Sequence, residues 1–182
     1  MFNNHKYFQS ISKTPLLIAS DLERGAGQQM KGATLFPSNM AIAATGDPYN
    51  AYLQGEITAK EAKALGVHII FAPVLDVNNN PNNPIINLRS YGDDSNIVSD
   101  FGLQFIKGIQ DQGLYACPKH FPGHGNTSVD SHTSLPVINS SLSELNDIEL
   151  KPFKNAVDNN VKMMMMAHIA VPALDASNKP AS

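Results

Sequence analysis

The sequence predicts an α/β protein built on a parallel sheet. Three observations predict it. Short apolar runs alternate with helix-like segments along the 182 residues. The runs are continuous instead of alternating with polar residues, which suits strands covered on both faces. Each run also delivers an ionisable residue at its C-terminal end.

The first strand is read at Pro15–Ser20 and leads into Asp21 and Glu23. A helix follows over Asp47–Leu65, with Ala51, Leu53, Ile57, Ala62 and Leu65 as its apolar residues and Gly66 as its stop. The second strand, Val67–Val74, runs on to Asp76. The second helix spans Asp94–Gln112, capped by Asp94 or Ser95 and stopped at Gly113. It places Ile97, Phe101, Phe105, Ile106 and Ile109 on one side. The third strand, Leu114–Pro118, ends in Lys119 and His120. The third helix, Ser143–Asn159, carries Leu145, Ile148, Leu150, Phe153 and Val157, and Pro152 should divide or kink it. The fourth strand, Val161–Ala167, ends at His168, and its run Met163–Met166 is read as core packing.

Ionisable residues gathered at the carboxyl ends of parallel strands mark the active rim of a (β/α)8 barrel, and open α/β sheets bind ligands at the same ends. Eight βα units need about 250 residues. Four apolar parallel strands leave two sheet edges open, which proteins normally avoid. The expectation is therefore a partial (β/α)8 TIM barrel of about four parallel strands. The closing stretch Asn178–Ser182 reads as a loop before any closing helix, so the chain is read as part of a longer one.

Composition excludes several classes. With 13 Lys+Arg against 16 Asp+Glu, the net charge of −3 gives nucleic acid no basic surface to bind. The single cysteine, Cys117, allows neither an internal disulfide nor a cysteine-based zinc cluster. No apolar run approaches the roughly 20 residues of a membrane span. The first residues, Met1–Lys6, lack the layout of a signal peptide. Cytoplasm and periplasm or cell envelope both remain open as compartments. No G-x-G-x-x-G or G-x-x-x-x-G-K-[ST] pattern occurs, so no dinucleotide or P-loop cofactor is expected.

The densest chemistry lies in Lys119–His132, which contains Lys119, His120, His124, Asp130 and His132. Pro122, Gly123 and Gly125 forbid a regular helix, so this is a loop leaving a strand. Such loops on a rigid scaffold carry binding and catalytic groups. A metal site could use His120, His124, Asp130 and His132, although no H-E-x-x-H spacing is present. Ser131 beside His132 is a weaker nucleophile pattern, because no G-x-S-x-G elbow exists. In an Asp130–His132 dyad, residues two apart in an extended segment share a side, so the carboxylate could orient the imidazole for proton transfer. A solvated hydrophilic loop is the plain alternative.

The run KHFPGHGNTSVDSHTSLP resembles the signature of the bacterial β-N-acetylhexosaminidase branch of glycoside hydrolase family 3, close to K-H-F-P-G-H-G-x-T-x-x-D-S-H-x-x-L-P. Four further segments resemble the family in order. They are SDLERGAGQQ at Ser20–Gln29, FAPVLDVNNNPNNPII at Phe71–Ile86, LRSYGDD at Leu88–Asp94 and MMAHIAVPALD at Met165–Asp175. Glu23-Arg24-Gly25 departs from the family's E-G-G. The resemblance covers nearly the whole chain and implies that residues 1–182 form an incomplete N-terminal barrel domain, lacking the family's first strand and those after the fourth seen here.

The resemblance also implies an activity: retaining hydrolysis of terminal β-linked N-acetylglucosamine, from peptidoglycan fragments or chitooligosaccharides. His132 would be the acid/base and Asp130 its partner, in place of the two carboxylates of most glycosidases. Asp21, Arg89, Lys119 and His120 would bind sugar hydroxyls, and no cofactor is implied. The family's aspartate nucleophile belongs to a later V-x-S/T-D segment, which does not occur after Met166. The chain alone is therefore expected to be inactive. A non-catalytic sugar-binding remnant and a metal-dependent hydrolase using the loop histidines are the alternatives. Among the remaining residues, Arg89 could instead pair with Asp93 or Asp94. Asp76 is read as fixing the Asn-rich loop, His68 as a core histidine, His124 as shaping its loop, and Phe121–Pro122 as a candidate cis bond.

Overall fold

A computed structural model describes residues 2–128, 134–177 and 179–180. Asp130 and His132 lie outside the described residues, as does Ser131. The order is α1 (Phe2–Ile11), β1 (Ala19–Ser20), α2 (Asn39–Ala43), α3 (Tyr49–Ala64), β2 (Ile69–Ile70), α4 (Ser95–Asp111), β3 (Tyr115–Ala116), α5 (Leu142–Asp147) and α6 (Lys151–Asp158). The strands are parallel in the order β1-β2-β3, with Ala19 opposite Ile69 and Ile70 opposite Ala116. The partial α/β architecture expected from the sequence is present.

The regular strands are much shorter than the apolar runs. Proline has no N–H to give to a ladder, and Pro73 and Pro118 stand at the exits of the second and third runs. Beyond them pairing continues as single bridges, Val74 with Lys119 and Phe121 with Met166. The Phe121–Pro122 peptide is cis, and so are Ala72–Pro73 and Lys119–His120. The fourth run takes the next place along the sheet: Met165 N–H donates to the Pro118 carbonyl at 2.9 Å, and Phe121 N–H donates to that of Met165 at 2.9 Å. The expected core packing of Met163–Met166 holds for Met164, which lies against the main core, and is corrected for two of the others. Met163 and Met166 are 36% and 44% exposed, because this run forms the edge of the described sheet.

The helices cover the sheet through one main core. Ile70, Ala72, Leu75 and Val77 of the β2 exit pack with Val98, Phe101, Phe105 and Ile109 of α4 and with Phe153 of α6. Helices α3 and α4 touch backbone to backbone, Gly55 against the Phe105 carbonyl and Gly108 against that of Tyr52; a side chain at either glycine would overlap its neighbour. This closeness selects small residues. The buried face of α3 is Ala51, Gln54, Gly55, Thr58, Ala59 and Ala62, while the expected Ile57 is exposed. On α4, Val98 is buried and the expected Ile97 is exposed. Asp94 caps α4, accepting from Asn96 N–H at 2.6 Å. The third predicted helix is two helices, with Pro152 in the first turn of α6, where no intrahelical N–H is needed. A capping box of Ser141 and Glu144 starts α5. Among the described residues no helix is long and apolar enough to cross a membrane.

Candidate active site

The exits of the parallel strands converge on a cavity of about 540 Å³. Asp21 and Glu23 reach it from β1, Arg89 from the long connection after β2, and Lys119, His120 and His124 from the loop after β3; His168 arrives from the fourth run. The rim expected from the sequence is therefore real, and it brings Asp21, Arg89, Lys119 and His120 to one cavity.

Its floor is a knot of opposite charges centred on Glu23. The Arg89 guanidinium grips Glu23 with two parallel bonds, Nη2 to Oε1 at 2.8 Å and Nε to Oε2 at 3.0 Å. Such a fork fixes direction as well as charge. Lys119, 3% exposed, places its ammonium 2.7 Å from Glu23 Oε1 and 2.6 Å from Asp21 Oδ1. Burial pushes the Glu23 carboxyl up, but Arg89 and Lys119 outweigh it and hold the group below the usual carboxylate range. Gln54, fully buried on α3, donates to the Glu23 carbonyl at 3.1 Å. Asn39 Nδ2 donates to the Arg89 carbonyl at 2.7 Å. Both ends of the Glu23–Arg89 fork are thus tied at the backbone.

A second pair stands behind the wall. Asp76, with no exposed surface, accepts from His120: its Oδ2 lies 2.6 Å from Nδ1, and its Oδ1 accepts the His120 N–H at 3.2 Å. The His124 N–H donates to the same Oδ1 at 2.6 Å. Burial raises the Asp76 carboxyl, yet His120 and these amides hold it below its ordinary value. With Nδ1 engaged, His120 turns Nε2 toward Arg89 Nη2 at 3.5 Å. His124 is buried, its Nδ1 2.7 Å from Thr127 Oγ1, and burial lowers its proton affinity so that the ring stays neutral.

Several sequence expectations change here. Arg89 pairs with Glu23 and with neither Asp93 nor Asp94; Asp94 is spent as the α4 cap. The Asp76 carboxylate orders the His120–His124 segment and not the Asn-rich loop, because two N–H groups and an imidazole of that segment converge on it. His68 has a structural role, accepting the Ile18 N–H at 3.1 Å and so tying β1 to β2. The sequence marks Glu23 only as a strand-end charge and does not reveal its central place. The D-x-E spacing at a strand exit was the available signal. Of the histidines in the metal reading, His120 and His124 have Nδ1 engaged by Asp76 and Thr127. Among the described residues no three His, Cys, Asp or Glu side chains are grouped to hold a metal ion.

Charged donors and acceptors fixed around a small cavity, at the carboxyl ends of a parallel sheet, have the chemistry to bind a polyhydroxylated ligand. Neighbouring hydroxyls each donate and accept, and Asp21, Arg89, Lys119 and His120 offer both functions. Comparison with known proteins makes the class specific. The glycosyl hydrolase family 3 N-terminal domain matches residues 3–182, and the chain belongs to this family. β-Hexosaminidase A of Pseudoalteromonas piscicida is 43% identical over 176 residues, 93% of this chain and 29% of that protein. The structure of a family 3 β-N-acetylglucosaminidase from Paenibacillus sp. str. FPU-7 superposes with a TM-score of 0.95 at 40% identity, over 99% of this chain and 35% of that one. The β-glucoside phosphorylase BglX superposes at 0.91 with 32% identity, over 98% of this chain and 34% of that one. The chain thus spans about a third of the length of these relatives.

Proposed function

We propose that this chain supplies the sugar-reading floor and the proton-transfer loop of a β-N-acetylhexosaminidase. The observation that carries the reading is the convergence of Asp21, Arg89, Lys119 and His120 on one cavity in a family 3 frame. The substrate is a terminal β-linked N-acetylglucosamine, with a peptidoglycan fragment as the preferred natural source. Arg89, Lys119 and Asp21 hold ring hydroxyls, and the Glu23 knot keeps those groups from relaxing when the cavity is empty.

Chemistry proceeds with retention. A carboxylate supplied outside these residues attacks the anomeric carbon as the bond to the leaving oxygen breaks. His132 gives its proton to that oxygen, steadied by Asp130. The neutral imidazole then takes a proton from water, which attacks the glycosyl ester and releases the sugar with its original configuration.

The test is the full-length protein assayed on aryl β-N-acetylglucosaminides, with and without phosphate, and with the anomer of the first product read by NMR. Release of the β-hemiacetal supports the reading, and initial release of the α-anomer removes it. A β-configured product would still leave hydrolysis wrong if phosphate were required and a sugar phosphate accumulated. Binding of N-acetylglucosamine without turnover by the full-length protein would select the non-catalytic alternative.

A further inference from the structure

We infer that Asn83, assisted by Asn80, is a positioning residue for proton transfer. The inference rests on the reading of Asp130 and His132 as the acid/base pair. Asn83 is 3% exposed, and both ends of its amide are committed. Its Oδ1 accepts the N–H groups of Ile85 at 2.9 Å and Ile86 at 2.8 Å, closing its own turn. Its Nδ2 crosses to the β3 loop and donates to the carbonyls of His124 at 2.8 Å and Gly125 at 2.9 Å. One side chain therefore holds two loops at a fixed spacing.

Three further contacts make this spacing tight. Gly125 lies on the backbone of Val77, where any side chain would overlap the Val77 carbonyl. Thr127 Oγ1 closes the turn by bonding back to His124. Asn80 Nδ2 reaches Ser128 Oγ at 3.1 Å. The far arm of the same loop is fixed separately. Ile138 N–H donates to the Ala170 carbonyl, and Ala170 N–H to that of Pro136, both at 3.0 Å. Asp130 and His132 belong to the connection between these two anchored arms.

The segment that carries Asn80 and Asn83 ends at Arg89, whose side chain sits in the Glu23 fork. One stretch of chain thus sets both a group of the sugar-reading floor and the first anchor of the proton-transfer loop. Its chemical purpose is to fix the distance between bound sugar and proton donor. A displacement of about 1 Å in such a distance costs on the order of 100-fold in rate.

The experiment uses the full-length enzyme and two β-N-acetylglucosaminides, one with a poor phenolic leaving group and one with 2,4-dinitrophenolate. The second leaves without a proton. Asn80→Ala, at a partly exposed site, keeps the fold, and Asn83→Asp retains size at the buried one. For Asn80→Ala the inference expects kcat/KM to fall about 10-fold or more on the poor leaving group, with KM unchanged and the activated substrate nearly unaffected. Asn80→Gln, which can still reach Ser128, should recover part of the loss. Equal losses on both substrates, or none, overturn the inference. His132→Ala is the control: if it fails to discriminate between the substrates, the dyad reading falls and takes this inference with it. If it discriminates and neither asparagine variant does, only the inference falls.

Discussion

Two adjacent parts of the sheet invert the usual rule of burial. At the exits of β1 and β3, Glu23 and Lys119 carry full charges at 6% and 3% exposure. One strand over, Met163 and Met166 are apolar and stand 36% and 44% exposed. A buried charge is tolerated only when opposite charge and hydrogen bonds offset its lost hydration. An exposed apolar strand edge needs no such repayment, but it leaves pairing groups open. The difference separates a rim closed by the described residues from a strand edge that they do not cover. The rim is over-determined by its own residues, whereas Met163–Ala167 pairs on one side only, with the β3 exit, among the described residues.

The sharpest way to break this contrast is to remove the centre of the knot. Glu23→Ala leaves Lys119 and Arg89 without their shared carboxylate, and it should cost about 3–5 kcal/mol of unfolding free energy, read by chemical denaturation. A loss below about 1 kcal/mol would mean that water already screens the rim. Next comes Gly125→Ala, which drives a methyl into the Val77 carbonyl. About 1–3 kcal/mol is expected, with a matching fall in Tm, since the loop cannot retreat without breaking the Asn83 bonds.

Acid sharpens the comparison further. His124 refuses a proton that the unfolded chain accepts, so stability should decline as pH falls below about 6.5, the ordinary histidine value. That decline levels off once pH passes the folded-state value. Glu23 and Asp76 are held below the usual carboxylate range, so a second decline follows below about 4, where the unfolded carboxylates take protons first. Denaturation midpoints measured across pH should show both, and His124→Gln should flatten only the first. Met166→Ser should change least, within about 0.5 kcal/mol, as an exposed position does. A larger loss in the full-length protein would show that the edge is covered there.

What was legible in the sequence follows the same division. Strand exits are readable because their charges follow continuous apolar runs, and this locates Asp21, Lys119 and His120 at one rim, whereas Arg89, in the long connection after β2, is reached only through the family resemblance of LRSYGDD. The Pro152 break was readable because proline acts locally. Glu23 was not, since its role depends on meeting Arg89 and Lys119, which are distant in the chain. Asp76 was assigned to the wrong loop for the same reason. The face of α3 escaped because close backbone contact with α4 favours glycine, alanine and threonine over the larger Ile57 that periodicity selects. Helix α1 escaped because Tyr7, Phe8 and Ile11 remain exposed and leave no clear apolar stripe. For Asp130 and His132 the sequence remains the only source, as they lie outside the described residues.

The Glu23–Arg89–Lys119 knot also constrains descent. A change to one member alters the charge balance around the other two, and loss of Glu23 leaves Arg89 and Lys119 close together with only Asp21 beside Lys119, so a sequence with two of the three groups is less stable than the full set. These positions should therefore drift as a set. Among relatives that read a different ring, the three are expected to be exchanged together, and a lineage that loses one should soon lose the others.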